Sequence, residues 1–126
     1  MNPTHHKIIL EYVNAYNNFD TEGMIEHLAD VIHFENRSNG DVTLVLDGKE
    51  HFKNQAEQAK GFFSQRKQTI LSWVEENGEI IIEVDYHGIL AVDLPNGLKK
   101  GTEMKLKGQS RFKFKNNQIT VLIDES

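Results

Sequence analysis

The sequence predicts an α+β fold shaped like a cone, with three helices from the first half of the chain packed inside a strongly curved, mostly antiparallel sheet. Three observations lead there. Between Glu79 and Val92 the even positions Ile80, Ile82, Val84, Tyr86, Leu90 and Val92 are apolar, while the odd positions include Glu83, Asp85 and His87. A period of two marks a strand with one buried face. A strand that far beyond the usual ~5–6 residues must curl, and a curled sheet leaves a hollow. Second, apolar residues at helical spacing fall before Ser64, and the chain beyond it reads as strand. Third, the separators Asn77-Gly78, Pro95-Asn96-Gly97 and Asn116-Asn117 carry hairpin chemistry.

Taken in order, Ile8, Ile9, Tyr12, Val13 and Tyr16 make an apolar stripe on a first helix from about Thr4 to Asn18. Asp20 reads as the N-cap of a short second helix burying Met24, Ile25 and Leu28, with Glu22 in its first turn. Val31 to Ser38 alternates, with Ile32 and Phe34 on one face and His33, Glu35 and Arg37 on the other. Asn39-Gly40 turns it back into Thr43–Leu46. Asp47 and Glu50 suggest a capped start for a third helix carrying Phe52, Ala56, Ala59 and Phe63. Four strands complete the chain, about Gln68–Glu75, Glu79–Val92, Thr102–Lys115 and Gln118–Asp124. Helices succeeded by runs of antiparallel strand exclude a βαβ layout.

The 126 residues form one domain, 1–126, with 38% hydrophobic and 26% charged residues, large enough for a core of its own. No window approaches the ~18 apolar residues of a membrane span, so no membrane partner is expected. The absence of cysteine excludes disulfides and thiolate chemistry. With no apolar leader in the first residues, the expected setting is cytoplasmic. A net charge of −5 argues against nucleic acid. Lys99, Lys100, Lys105, Lys107, Arg111, Lys113 and Lys115 read instead as an outer sheet face paired with Glu83 and Asp85. No glycine-rich phosphate loop is present, and no cofactor is expected. The histidines lack metal-ligand spacing, and His5 and His6 are expected in a mobile terminus, so no metal is expected. His87 is expected beside Asp85 and Glu83, at a subunit surface.

Several residues stand where a cavity would be. Tyr12, Tyr16 and Tyr86 each combine an apolar body with a hydroxyl that needs a partner. Asn36 shares a face with Ile32 and Phe34, and so points inward. Glu35 points outward unless a bulge shifts the register, in which case it becomes an inward base. Ser110 alternates with Phe112 and Phe114. Asp124 falls on the face of Leu122 if the last strand is regular, where a carboxyl could do acid–base work. Trp73 is expected in the core or at a subunit interface.

The order of these elements, with Tyr12-Val13-Asn14-Ala15-Tyr16, Asn18-Phe19-Asp20, Leu28-Ala29-Asp30, Phe34-Glu35-Asn36, Asp47-Gly48-Lys49-Glu50 and the closing Phe112-Lys113-Phe114 with Gln118-Ile119-Thr120, resembles the nuclear transport factor two-like superfamily. That superfamily includes SnoaL-like polyketide cyclases and ketosteroid isomerases. The resemblance implies a cystatin-like cone with a deep pocket, and a homodimer through the outer sheet face. Ketosteroid isomerases use a helix-one tyrosine, an aspartate base after helix two and a protonated aspartic acid on the penultimate strand. Those positions fall here on Tyr12, Asn36 and Ser110, so one of three matches. The sequence therefore favours a small-molecule-binding protein without ketosteroid isomerase chemistry. Its cavity is lined by Tyr12, Tyr16, Asn36, Tyr86 and Ser110, and it takes an unidentified apolar or mixed-polarity ligand. No Asp or Glu is expected at the cavity bottom. The alternative is an isomerase, cyclase or dehydratase using Tyr12 with Asp124 or Glu35 as acid–base groups.

Overall fold

The computed structural model describes residues 2–126. In chain order the elements are α1 (Pro3–Asn17), α2 (Thr21–Ile25), β1 (Leu28–Ser38), β2 (Asp41–Asp47), α3 (Lys49–Lys60), β3 (Phe63–Glu76), β4 (Glu79–Leu90), β5 (Glu103–Lys115) and β6 (Gln118–Glu125). The α+β class and the element order are those expected. Six strands form one open sheet in the order β2-β1-β6-β5-β4-β3. Neighbours are antiparallel except β1 and β6, which run parallel.

Local chemistry sets the helix ends. Asn2 Oδ1 accepts from the backbone N–H of Thr4 and His5, and Pro3 opens α1 where its missing N–H costs nothing. Asp20 caps α2 through the N–H of Gly23 at 3.0 Å. Leu28, expected on that helix, instead begins β1, fully buried. The Asp47–Glu50 cap does not form. Gly48 occupies the cap position at φ 96°, a left-handed conformation that suits glycine, and makes no side-chain cap bond. Phe63 falls one element later than expected, as the first residue of β3.

His5 and His6 were expected in a mobile terminus, but they sit in the first turn of α1 and are engaged. His5 stacks on Phe114 with ring centroids 3.9 Å apart, and His6 stacks on Trp73 at the same separation. Trp73 is thus partly buried against the core.

β4 keeps the expected alternation. Ile80, Ile82, Val84 and Leu90 are buried, and Glu83 and Asp85 are exposed on the other face. Val92 lies past the strand end and is exposed, so the apolar run stops at Leu90. Lys107 approaches Asp85 at 3.9 Å, whereas His87 pairs with Glu103 at 3.5 Å rather than with its own strand neighbours. Bulges bend the sheet. Leu44 and Val42 pair with the consecutive residues Asn36 and Arg37, leaving Thr43 as the extra residue of β2. Leu71 is extra in β3 in the same way. Each such insertion adds local twist. The main core lies between the concave face and the helices, with Ile9, Leu28, Ile32, Ile82, Phe112, Ile119 and Leu122 almost wholly excluded from water.

On the convex side His33 bonds Asp47 through Nδ1 at 2.6 Å and Glu35 through Nε2 at 2.7 Å. Both acceptors are carboxylates, so both ring nitrogens donate and the imidazolium form is favoured. The bonds to Asp47 and then Glu35 raise His33 above the ordinary imidazole value. Their stabilisation is present below the unfolded pKa of ~6.5 and is lost as pH rises through the higher folded value. An NMR titration should place the His33 midpoint above that of a free imidazole, and Asp47→Asn should bring it down. Coincident midpoints in the two proteins would contradict the ion-pair account.

A cleft with a buried carboxyl and two phenols

A polar cross-strand row runs over the concave face of β1, β6 and β5. Asn36 on β1 is in register with Asp124 on β6, Asp124 with Ser110 on β5, and Ser110 with Ile82 on β4. One row deeper lie Phe34, Leu122, Phe112 and Ile80, all buried. The polar row therefore rests on an apolar floor. Beside it opens a cleft of about 300 Å³, at the small end of ligand sites. Tyr16, Phe63, Gln68, Tyr86, Met104 and Leu106 line its other walls.

Asp124 is the chemical centre of the row. Ser110 Oγ donates to Asp124 Oδ1 at 2.6 Å. Burial pushes the carboxyl from 3.8 up to about 6, with the Ser110 hydrogen bond pulling the other way. Proton counting fixes what the row can offer. The one O–H of Ser110 is directed at Asp124, so Ser110 has only lone pairs left for a ligand. Thr43 Oγ1 donates to the carbonyl of Asn36 at 3.1 Å, and so must accept from Asn36 Nδ2 at 2.9 Å. That assigns the Asn36 amide and leaves its Oδ1 as an acceptor.

At the other end, Tyr16 on α1 and Tyr86 on β4 meet edge to face with centroids 6.4 Å apart. Burial first, and then the neighbouring Tyr86 hydroxyl, hold Tyr16 far above the ordinary phenol range. Burial also raises Tyr86, while Tyr16 and Arg66 pull it back. Both stay neutral donors at ordinary pH. Gly88 gives Tyr86 its room, since a Cβ there would meet the Tyr86 hydroxyl at 3.1 Å and Phe63 Cδ1 at 3.2 Å.

Of the residues singled out in the sequence, Tyr16, Asn36, Tyr86, Ser110 and Asp124 come together in this cleft. Tyr12 does not line it. Its ring is buried edge-on against Phe112 at 6.0 Å, one helical turn deeper than Tyr16. Glu35 is also absent. β1 and β6 pair regularly from His33 to Arg37, so Glu35 stays outward, bonded to His33 and to Arg37 at 2.9 and 3.0 Å. Asp124 brings a carboxyl into the cleft wall, one row above the apolar floor, and its hydrogen-bond partner is Ser110 rather than Tyr12.

Sequence reasoning missed Phe63, Gln68, Met104, Leu106 and the buried Arg66. The strand read as starting at Gln68 begins five residues sooner. The parity of Arg66, Gln68 and Ile70 carried the signal, but a charged residue at an inward position hid it. Away from the cleft, Glu11, Glu26 and His27 bring two carboxylates and an imidazole within 4.8 Å of one another, which sequence spacing could not reveal. There the imidazole and Glu11 form a part-buried contact at 3.0 Å.

A family model described as a SnoaL-like domain matches residues 9–122. No curated protein matches the chain. Among solved structures, a proposed polyketide cyclase from Xanthomonas campestris pv. campestris superposes with a TM-score of 0.81 at 17% identity, covering 98% of this chain and 90% of that one. A proposed SnoaL-like polyketide cyclase from Jannaschia sp. CCS1 gives 0.81 at 10%, covering 98% and 88%. A protein of ketosteroid isomerase-like fold from Catenulispora acidiphila DSM 44928, in complex with trimethylamine, gives 0.77 at 14%, covering 98% and 85%. At these identities the likeness is one of fold.

Proposed function

As the chain belongs to the SnoaL-like domain family, we propose that its cleft binds a small organic molecule of mixed polarity and that Asp124 exchanges a proton with it. The observation that carries this reading is the Asp124 carboxyl in the cleft wall, one oxygen bonded to Ser110, where burial pushes it up to about 6. A base poised near the working pH combines the right protonation state with a useful driving force. In this reading Asp124 takes a proton from carbon or oxygen next to a carbonyl of the ligand and returns it elsewhere. The Tyr16 and Tyr86 hydroxyls steady the oxygen on which charge develops. That is isomerase, cyclase or dehydratase chemistry, and the names of the Xanthomonas and Jannaschia neighbours are in keeping with it. A second reading, binding without chemistry, draws on Asn36 and Ser110, which are neutral at positions where ketosteroid isomerases carry acids.

Further parts of the proposal are a cytoplasmic setting, in keeping with the absence of cysteine, and pairing of two copies through the outer sheet face. The outer row Val45–Glu35–Ile123–Arg111–Ile81–Val74 interleaves two charged groups with four apolar ones in register. Val45 and Val74 are nearly half exposed.

Native mass spectrometry of the purified protein tests these points together. A mass of two chains with a retained organic molecule is the expected spectrum. The molecule is then incubated in heavy water with wild type and with Asp124→Asn. Label uptake with wild type alone supports proton exchange. Equal uptake with the variant would leave binding without chemistry, and an empty monomer would count against the pairing and the ligand site.

A further inference from the structure

Arg66 is a cation buried without a counter-anion. It is 5% exposed on the inward face of β3, and among the described residues no carboxylate lies within ion-pair distance of it. Burying a charge in this way is costly unless other groups answer it. Four do. Its Nε donates to the carbonyl of Tyr16 at 2.9 Å, in the last turn of α1, a helix with no basic residue of its own there. A cation at the negative end of a helix is favourable. Its Nη2 donates to Met24 Sδ. The guanidinium also lies 3.9 Å from the Tyr16 ring centroid and 4.6 Å from that of Phe19. Phe19 is held at φ 57°, a left-handed conformation that a bulky residue rarely adopts. Two bonds between the Asn17 side chain and the Gln68 backbone, at 2.7 and 3.1 Å, fix the same helix end to β3.

Neither a carbonyl nor a ring face neutralises a full charge, so the field of Arg66 reaches the hydroxyls of the cleft. The groups that sense it are Tyr12, Tyr16 and Tyr86, each pulled down by Arg66 against the effect of burial. Asp124 acts on Tyr12 and Tyr16 in the opposite sense. The cleft is thus polarised along its length, with the mutually hydrogen-bonded Tyr16 and Tyr86 hydroxyls in a positive field at one end and a carboxyl at the other.

We propose that Arg66 is a positioning residue acting through Tyr16, and that it makes the tyrosine end of the cleft the seat of the ligand's acidic oxygen, such as an enol, phenol or carboxylate. This rests on the cleft being the ligand site, though not on Asp124 moving a proton. Arg66 fixes the Tyr16 ring from behind and sets which end of the ligand docks there.

The probes are para-nitrophenol, which ionises with a change of colour, and nitrobenzene, which has no acidic oxygen. Wild type should bind nitrophenolate more tightly than nitrobenzene and lower the apparent pKa of the bound phenol. Arg66→Met should weaken nitrophenolate binding roughly tenfold or more, the scale of a nearby opposite charge, and leave nitrobenzene unchanged. Arg66→Lys, which keeps the charge, should recover part of the loss. Should Arg66→Met fail to fold by circular dichroism, Tyr16→Phe decides instead. It keeps a ring for the guanidinium, removes the hydroxyl, and should abolish the preference. Asp124→Asn should keep or strengthen the preference, which separates this proposal from failure of the proton-exchange reading. A wild type that binds both probes equally or not at all, or a folded Arg66→Met or Tyr16→Phe with an unchanged preference, overturns it.

Discussion

Asp124→Asn should be more stable than wild type at neutral pH while losing proton exchange. The carboxyl titrates at about 6 in the folded protein against 3.8 unperturbed. Below 3.8 both folded and unfolded chains carry the proton, and burial costs nothing extra. Between the two values the unfolded chain ionises while the folded one stays protonated, so stability falls as pH rises. Above about 6 the deficit is constant. At about 1.4 kcal/mol per unit it amounts to about 3 kcal/mol. Asparagine is close in shape, carries no charge, and can still accept from Ser110 through its carbonyl oxygen. Urea unfolding at several pH values should therefore show the variant ahead by about 1–3 kcal/mol at neutral pH, with the gap closing in acid. A gap that does not depend on pH, or none at all, would mean that Asp124 is solvated and that the acid–base reading lacks its basis. A group whose removal stabilises the fold and abolishes activity is expected where strain serves function.

Phe112→Ala should come close to unfolding the protein. Phe112 is fully excluded from water, in register between Ile80 and Leu122, with Tyr12 against its face. Truncation removes the apolar contact and leaves a void that the sheet cannot close. Such changes cost about 3–5 kcal/mol, against a total of about 5–15 for a domain of this kind. Ser110 lies two residues away on the same strand face, so the floor beneath the polar row goes with it. Phe114→Ala is the control. Phe114 is half-buried and stacked on His5, and its loss should cost clearly less. Equal urea midpoints for the two variants would show that the row under the cleft is not the centre of the core.

Most of this architecture could be read from the chain because its signals are local. Alternation in β4 and the asparagine turns, with Asn39, Asn77, Asn116 and Asn117 all at positive φ, need no knowledge of distant neighbours. The inward row could be read for the same reason: Asn36, Ser110 and Asp124 each share parity with an obvious core residue. Depth was not legible. Tyr12 and Tyr16 lie on one helical stripe, and only the taper of the cone decides that one is walled in by Phe112 while the other faces the cleft. Asp47 looked like a helix cap because its true partner, His33, lies across a strand pair. Arg66 was invisible because what answers its charge, a carbonyl, a sulfur and two rings, is set by tertiary structure.

The parallel pairing of β1 with β6 bears on how the molecule comes to exist. Hairpin partners are neighbours in sequence, whereas Asn36 and Asp124 pair across all the chain that forms β2, α3, β3, β4 and β5. Bringing segments so far apart in sequence together carries a loop-closure entropy that the hairpins escape. The β5–β6 hairpin can join Ser110 to Asp124 locally, but full desolvation of the carboxyl awaits the long-range docking of β1. A chain emerging from the ribosome would hold both phenols well before it held the acid. The carboxyl would then meet its full burial only when the first and last strands have closed on each other.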